Sequence, residues 1–464
     1  MPRIEGRHGL VYTTGHADSA ARFDDLVSCY LGFGRDIGDR LKALLGDDPA
    51  MPMANVAKGY FFKLFGNAVM AARAGKALGD ADRVFAEQGA TDRERLHLEA
   101  LRAWCAEDID RTTELWERIL LDHPRDVFAL RLAHFNHFYA GESRKMRDSI
   151  ARVLPEWSAG HPDIGYVHGM YGFALEESGD YARGERFGRM AVERNPADAW
   201  SVHAVAHVME MQGRHAEGIA WVRRLEPDWS TTNNFRFHLY WHRALYHLER
   251  HEFAEVLALY DGYVASDIAT DMYLDVCNAA SLLWRLEMYG VDVGDRWKGL
   301  TEVSLRHVDD HELIFVSLHY LMALLKAGEA DAAARLASQL QGYANAATNQ
   351  GRVSARVGVG TAAAMTALAR GDAGAAVDAL LPIRYDLWCM GGSHAQRDLF
   401  EEMLVSAAAT ARPHLARALL AERTAAKLGS AWSWRQYAAA LRAEGRGEAA
   451  DVAEKRAAEL LAAA

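Results

Sequence analysis

The chain has 464 residues, half of them hydrophobic and a quarter charged, with 52 Lys and Arg against 63 Asp and Glu and a net charge of −11. The acidic balance and the dispersal of Lys and Arg argue against a nucleic-acid partner, since phosphate binding needs clustered positive charge. No stretch of about 18 uncharged apolar residues occurs and the Met1-Pro2-Arg3-Ile4 start lacks the apolar core of a secretion signal, so a cytoplasmic protein with no membrane partner is expected.

In chain order, residues 1–90 read as an N-terminal helical segment of divergent hairpins. Gly32-Phe33-Gly34 with Gly38 has the wrong spacing for a dinucleotide loop and no strand before it. Aromatic residues such as Phe61, Phe62, Phe65 and Trp284 are expected in the core. Cys29, Cys105, Cys277 and Cys389 lie far apart without CxxC spacing, which predicts buried free thiols.

Residues 91–261 carry regular repeats. Tyr171-Gly172, Gly179-Asp180-Tyr181, Gly184, Ala191 and Pro196 fit the helix-turn-helix template of the tetratricopeptide repeat. The template recurs earlier at Ala100, Asp108-Ile109 and Pro124. It recurs later at Gly213-Arg214-His215 and, with Ala244, at His251-Glu252-Phe253. Residues 262–311 read as an irregular helical insert broken at Gly290-Val291-Asp292-Val293-Gly294. Residues 312–464 read as C-terminal repeats turning at Gly328, Gly371 and Gly445, closed by a capping helix from Glu448 to Ala464; a further turn is expected at Gly141-Glu142. Because each hairpin has an apolar face that only its neighbours can bury, the fold predicted is an all-α solenoid, a superhelix of tetratricopeptide-like hairpins.

Within this frame the chain resembles a bacterial member of the tetratricopeptide repeat protein 38 family. The likeness is carried by Leu130-Arg131-Leu132-Ala133-His134-Phe135, Arg147-Asp148-Ser149, Asp198 to His207, Glu210 to Arg214, Trp241 to Leu245 and Gly391 to Asp398. The resemblance implies a fold and no settled activity. It also sets Trp200, His203, His207 and Glu210 at positions that face the concave groove of such arrays.

Those positions hold the candidate chemistry. His203, His207 and Glu210 share one helical stripe, opposite Val202, Val205 and Met209. The next hairpin offers His238, Trp241 and His242, and the previous one Tyr166, His168 and Glu176. The i, i+4 pairs His203/His207 and His238/His242 can reach one divalent metal, with Glu210 as third ligand or general base. Neither pair is HExxH, since Ala204 and Leu239 stand second. Structural hydrogen bonding and direct ligand contact therefore stay open beside metal binding.

A second wall is offered by Gly391 to Asp398. Ser393 is expected to cap a helix begun by His394, with Arg397 free for a carboxylate or phosphate and Asp398 one turn beyond His394. Ser393 beside His394 is weak evidence for a serine nucleophile, because adjacent residues rarely point at each other and no GxSxG elbow exists. Two function classes follow. One is a binding protein that presents a concave His/Trp/Glu-rich groove or pocket to a small ligand or peptide, with a homo-oligomer allowed. The other is a metal-assisted or histidine-dependent hydrolase or lyase using His203, His207, Glu210, His238 and His242.

Overall fold

The computed structural model describes residues 1–462, and among these 25 α-helices are joined almost throughout as antiparallel hairpins. The expected hairpins are present: Asp92–Cys105 with Ile109–Asp122, Ile164–Glu176 with Tyr181–Arg194, Ala199–Met211 with His215–Trp229, and Phe235–Glu249 with Phe253–Leu259. Their ends are set by local chemistry. Asp108, Asp126, Asp180, Asp198 and Asp372 each cap a helix by accepting a backbone N–H from its first turn. The hairpin turns fall where a left-handed backbone is needed, as at Gly179 (φ 83°) and Gly213 (φ 68°). In the last of these four hairpins His251 takes that conformation at φ 58°. Between 262 and 311, helices Tyr273–Met288 and Trp297–Arg306 pack as one more pair. The closing helix Gly447–Ala462 shares a small core of Ala438, Leu441, Ala450 and Ala453 with its partner, and the last two residues of the expected cap lie outside the described residues.

The first helices of successive hairpins are buried on every face. Val127 to His137, Ala199 to Met209, Asp275 to Leu286 and Ile314 to Leu324 are unbroken buried runs. A helix lining an open groove keeps one wet face, so these runs mean that the inner side of the curve is filled by the protein itself. The helix His394–Ala411 does much of the filling. Arg285 Nη2 donates to Ala395 O at 2.8 Å, and Phe400 meets Phe315 and His319 edge-on. The two halves are pinned together at their seams. Lys63 pairs with Glu312 at 2.6 Å, and the backbones of Gly213 and Gly429 lie so close that a Cβ on either would fall within about 2.6 Å of the other's Cα.

The N-terminus adds a feature that an all-α reading did not contain: strands Arg3–Glu5 and Val11–Thr13 pair antiparallel, with Ile4 opposite Tyr12. Three residues per strand are too few to show an alternating pattern in the sequence. The hairpin is held by side chains from elsewhere. Arg93 donates to Val11 O at 3.0 Å, Thr13 Oγ1 donates to Glu94 at 2.7 Å, and Tyr12 OH donates to Asp24 at 2.8 Å. The loop after the helix Ser19–Leu31 reaches the start of the helix Phe235–Glu249. Phe33 (φ 54°) stacks on Phe235 at 4.3 Å, and its carbonyl accepts from Asn233 N at 2.8 Å. Among the described residues no helix is long and apolar enough to cross a membrane. All four cysteines are free thiols, with Cys277 and Cys389 buried and Cys29 and Cys105 half-buried.

Candidate functional site

Two adjacent inner helices, Ala199–Met211 and Phe235–Glu249, each carry an HxxxH pair, and the packing turns both pairs toward each other. His203, His207, His238 and His242 are all buried, and each offers a ring nitrogen within 4.8 Å of the others'. His203 Nε2 lies 2.8 Å from His207 Nε2 and 3.0 Å from His238 Nε2, and the His242 ring centre is 4.4 Å from that of His207. His238 Nδ1 meets Asn278 Oδ1 at 2.9 Å, and Trp241 stacks on His238 while donating to Ser281. His207 Nδ1 faces the buried Glu176 carboxylate at 3.9 Å.

Burial, then mutual repulsion among the rings, holds His203, His207 and His242 well below the usual imidazole range; burial brings His238 to about 4 against the opposing pull of Asn278. All four rings are therefore neutral, each with one bare lone pair. Burial, reinforced by Glu177, drives Glu176 well above the ordinary carboxylate range. Both nitrogens of His242, both Glu176 oxygens and Nδ1 of His203 and His207 have no hydrogen-bond partner. Buried polar groups left this way are uncommon in a folded interior and cost stability, which marks the cluster as more than packing.

His203 and His238 also form part of the wall of a cavity of about 230 Å³. The rest of its surface is mainly aromatic: Phe33, Phe61, Phe135, Trp200, Phe235 and Tyr273 converge from distant parts of the chain. Polar atoms enter from Asn234, Asp275, Ser393 and Gln396. Asp275 is pushed up to about 7 by burial and accepts from Asn234 at 2.7 Å. Behind Phe33, Phe135 and Trp200 lies Arg131, fully buried, its guanidinium 4.3–5.0 Å from the three rings and held down to about 10 by burial. Its Nε and Nη2 have no partner.

The expected site residues separate into two sets. Trp200, His203, His238, Trp241, His242 and His207 come together as described. Glu210 does not join them. It lies in the last turn of its helix, belongs to none of the ligand-distance groups, and its carboxyl, raised to about 7 by burial, feels Lys427, Asp398 and Arg285. Glu176 stands beside His207 in its place. His168 packs edge-on against Phe187 of the second helix of its own hairpin, away from the tetrad. Ser393 caps its helix as expected, in a reciprocal capping box with Gln396. His394 lies on the partly exposed rim against the Glu177 backbone carbonyl at 3.2 Å. Arg397 turns to the Gly392 carbonyl and to Glu177 at 3.5 Å, and Asp398 is bound bidentately by Arg423 at 2.7 and 2.8 Å. Arg397 and Asp398 are thus committed to the protein.

Phe61 and Phe65 line the cavity, Phe65 being 39% exposed, whereas Trp284 is core as expected. The pattern reading also passed over Asn278, Asp275 and Arg131. Each is a lone polar residue inside an apolar helical run, Val276-Cys277-Asn278-Ala279 and Leu130-Arg131-Leu132 among them, and that isolation was the available signal.

No family model matches the chain. Its likeness to solved structures is of helical-repeat proteins. A human IFIT1 dimer with PPP-AAAA is 12% identical over 96% of this chain and 94% of that one, with a TM-score of 0.41. A human IFIT1 dimer with m7Gppp-AAAA is 13% identical over 84% and 87%, with a TM-score of 0.38. The P58(IPK) TPR domain is 11% identical over 80% and 93%, with a TM-score of 0.22. At these values nothing of what those proteins bind transfers to this chain, and the hairpin stack described above stands on its own helices.

Proposed function

We propose that this chain is a binding protein that encloses a small, largely apolar ligand inside its ring of helical hairpins, with the tetrad histidines and Asp275 as the polar handles. The observation that carries this reading is the cavity whose walls come from segments between Tyr30 and Gln396, aromatic on most sides and polar on a few. A peptide laid in a concave groove has less support, because the inner helices are buried on all faces. The reading takes the chain as a bacterial member of the tetratricopeptide repeat protein 38 family, on the segments quoted above. It places it in the cytoplasm without nucleic-acid or membrane partners, supported by the net charge of −11, and leaves room for a homo-oligomer.

Trp200 in the wall supplies the assay. Titration of the full chain with indole and naphthalene is expected to change tryptophan emission saturably, and Phe235→Ala to weaken that binding about tenfold or more. Unsaturable signals with both probes, or a Phe235→Ala variant indistinguishable from wild type, would overturn the reading. A histidine-dependent hydrolase or lyase is a second reading, favoured by one observation: His203 and His238 reach both the cavity and the tetrad. In that case neutral imidazole would act as the base and Glu210 would have no part.

A further inference from the structure

The tetrad poses a hydrogen-bonding problem that protons alone do not solve. With the Asn278 carbonyl facing it, His238 holds its proton on Nδ1, so its Nε2 is a bare lone pair. The Glu176 carboxyl, 3.9 Å from His207 Nδ1, makes no hydrogen bond to it and leaves the His207 tautomer open. The His238 lone pair and His207 Nε2 both point at one atom, His203 Nε2, at 3.0 and 2.8 Å. A single N–H on His203 can serve one of these contacts and not both. His242, with no partner on either nitrogen, completes the ring. A cation at the centre satisfies all four lone pairs together.

We propose that His203, His207, His238 and His242 form a binding site for one first-row divalent transition-metal ion, with a coordination position open toward the aromatic cavity. Imidazole suits zinc, iron, copper and nickel, whereas a magnesium or calcium site would be built from oxygens. At metal–nitrogen distances of about 2.0–2.1 Å, ligands at right angles stand about 2.8–3.0 Å apart and tetrahedral ones about 3.3 Å. The 2.8 and 3.0 Å contacts are those of neighbouring ligands in a six-coordinate set, which leaves room for a further ligand beside the four rings. Asn278 acts from behind His238, fixing which of its nitrogens is bare. The open position is directed by His203 and His238, which line the cavity. That direction rests on the ligand-binding reading above, while the ion site itself does not.

The test uses the full chain, produced with a tag free of histidine, in medium supplemented with zinc, iron and manganese, and purified without chelators. Elemental analysis is expected to find about one equivalent of a single transition metal per chain. After stripping with a chelator, Co²⁺ alone is expected to bind saturably with visible ligand-field bands, weak if six-coordinate and strong if tetrahedral. His242→Phe is expected to lower Co²⁺ affinity at least tenfold. Asn278→Ala keeps all four rings and is expected to weaken it roughly 10- to 100-fold, so a misfolded His242→Phe does not end the test. A wild-type chain that carries no metal and shows no saturable Co²⁺ binding overturns the proposal. So does an Asn278→Ala variant and a folded His242→Phe variant that both bind as wild type does. Phe235→Ala separates the two readings. If it keeps the metal and loses indole, both stand; if indole never binds while Co²⁺ does, the cavity reading alone falls.

Discussion

Two of the buried polar clusters inside this protein are built on opposite rules. Around Asp398, charge meets charge: Arg423 grips both its oxygens, Lys427 adds a third contact at 2.5 Å, and Arg423 also reaches Glu402 at 3.0 Å. Arg285 approaches Glu402 from the other side at 3.3 Å. In the tetrad the rings are neutral and several nitrogens have no partner. A satisfied ionic network stiffens a fold, and its rupture leaves a stranded charge; a neutral cluster with idle lone pairs loses little when a ring is replaced and gains much when something binds. The contrast separates a structural lock from a site.

The comparison breaks most visibly at Arg423. Arg423→Ala strands Asp398 and Glu402 and is expected to cost about 3–5 kcal/mol in urea unfolding followed by circular dichroism; a loss below about 1 kcal/mol would remove the lock. Asp398→Asn is expected to cost about 2–3 kcal/mol at pH 7. Arg423 and Lys427 hold the Asp398 carboxyl far below its ordinary range. Its contribution is therefore complete above its unfolded pKa and lost as pH falls through the lower folded value, so the gap between wild type and Asp398→Asn should narrow below about pH 4.

Glu249 sharpens the picture from the network's edge. Burial pushes its carboxyl up to about 8 against the pull of Lys427. The folded chain thus keeps a proton that the unfolded chain releases between about pH 4.5 and 8, and its stability falls as pH rises through that window. Glu249→Gln is expected to gain about 1–2 kcal/mol at pH 8.5 and nothing at pH 4, read as a shift of the urea midpoint. The smallest effect belongs to the tetrad: His242→Phe, a ring for a ring, is expected to change metal-free stability by about 1 kcal/mol or less while lowering Co²⁺ affinity at least tenfold. A large loss in the metal-free chain would make His242 part of the lock instead.

What the sequence reveals here is what is local. The glycine turns, the aspartate caps and the spacing of the two HxxxH pairs follow from short-range stereochemistry, so hairpin positions and the pairing of His203 with His207 and of His238 with His242 could be read directly. Ring closure could not, because it joins residues hundreds of positions apart, such as Lys63 to Glu312 and Gly213 to Gly429. The same gap explains Glu210. A helical stripe fixes an angle around the axis but not what packs against each turn, and the last turn of this helix meets the C-terminal charged network. Asp398 and Arg397 misled for a related reason: polar density near a helix start looks alike whether it awaits a ligand or a partner from the same chain. One clue was available. Helices such as Ile314–Ala327 are apolar around nearly their whole circumference, a composition suited to a filled interior and not to a groove.

The reach of Phe33 across to Phe235 also bears on how the molecule comes into being. Arrays of hairpins ordinarily fold from any starting unit and tolerate the loss or gain of a module. Here the chamber exists only once segments as far apart as Tyr30 and Gln396 have met, so it cannot form before the helix that begins at His394 has been made. The cost of closing such long loops slows assembly relative to an open coil, and shortening the array by one module would destroy the chamber while leaving every remaining hairpin intact.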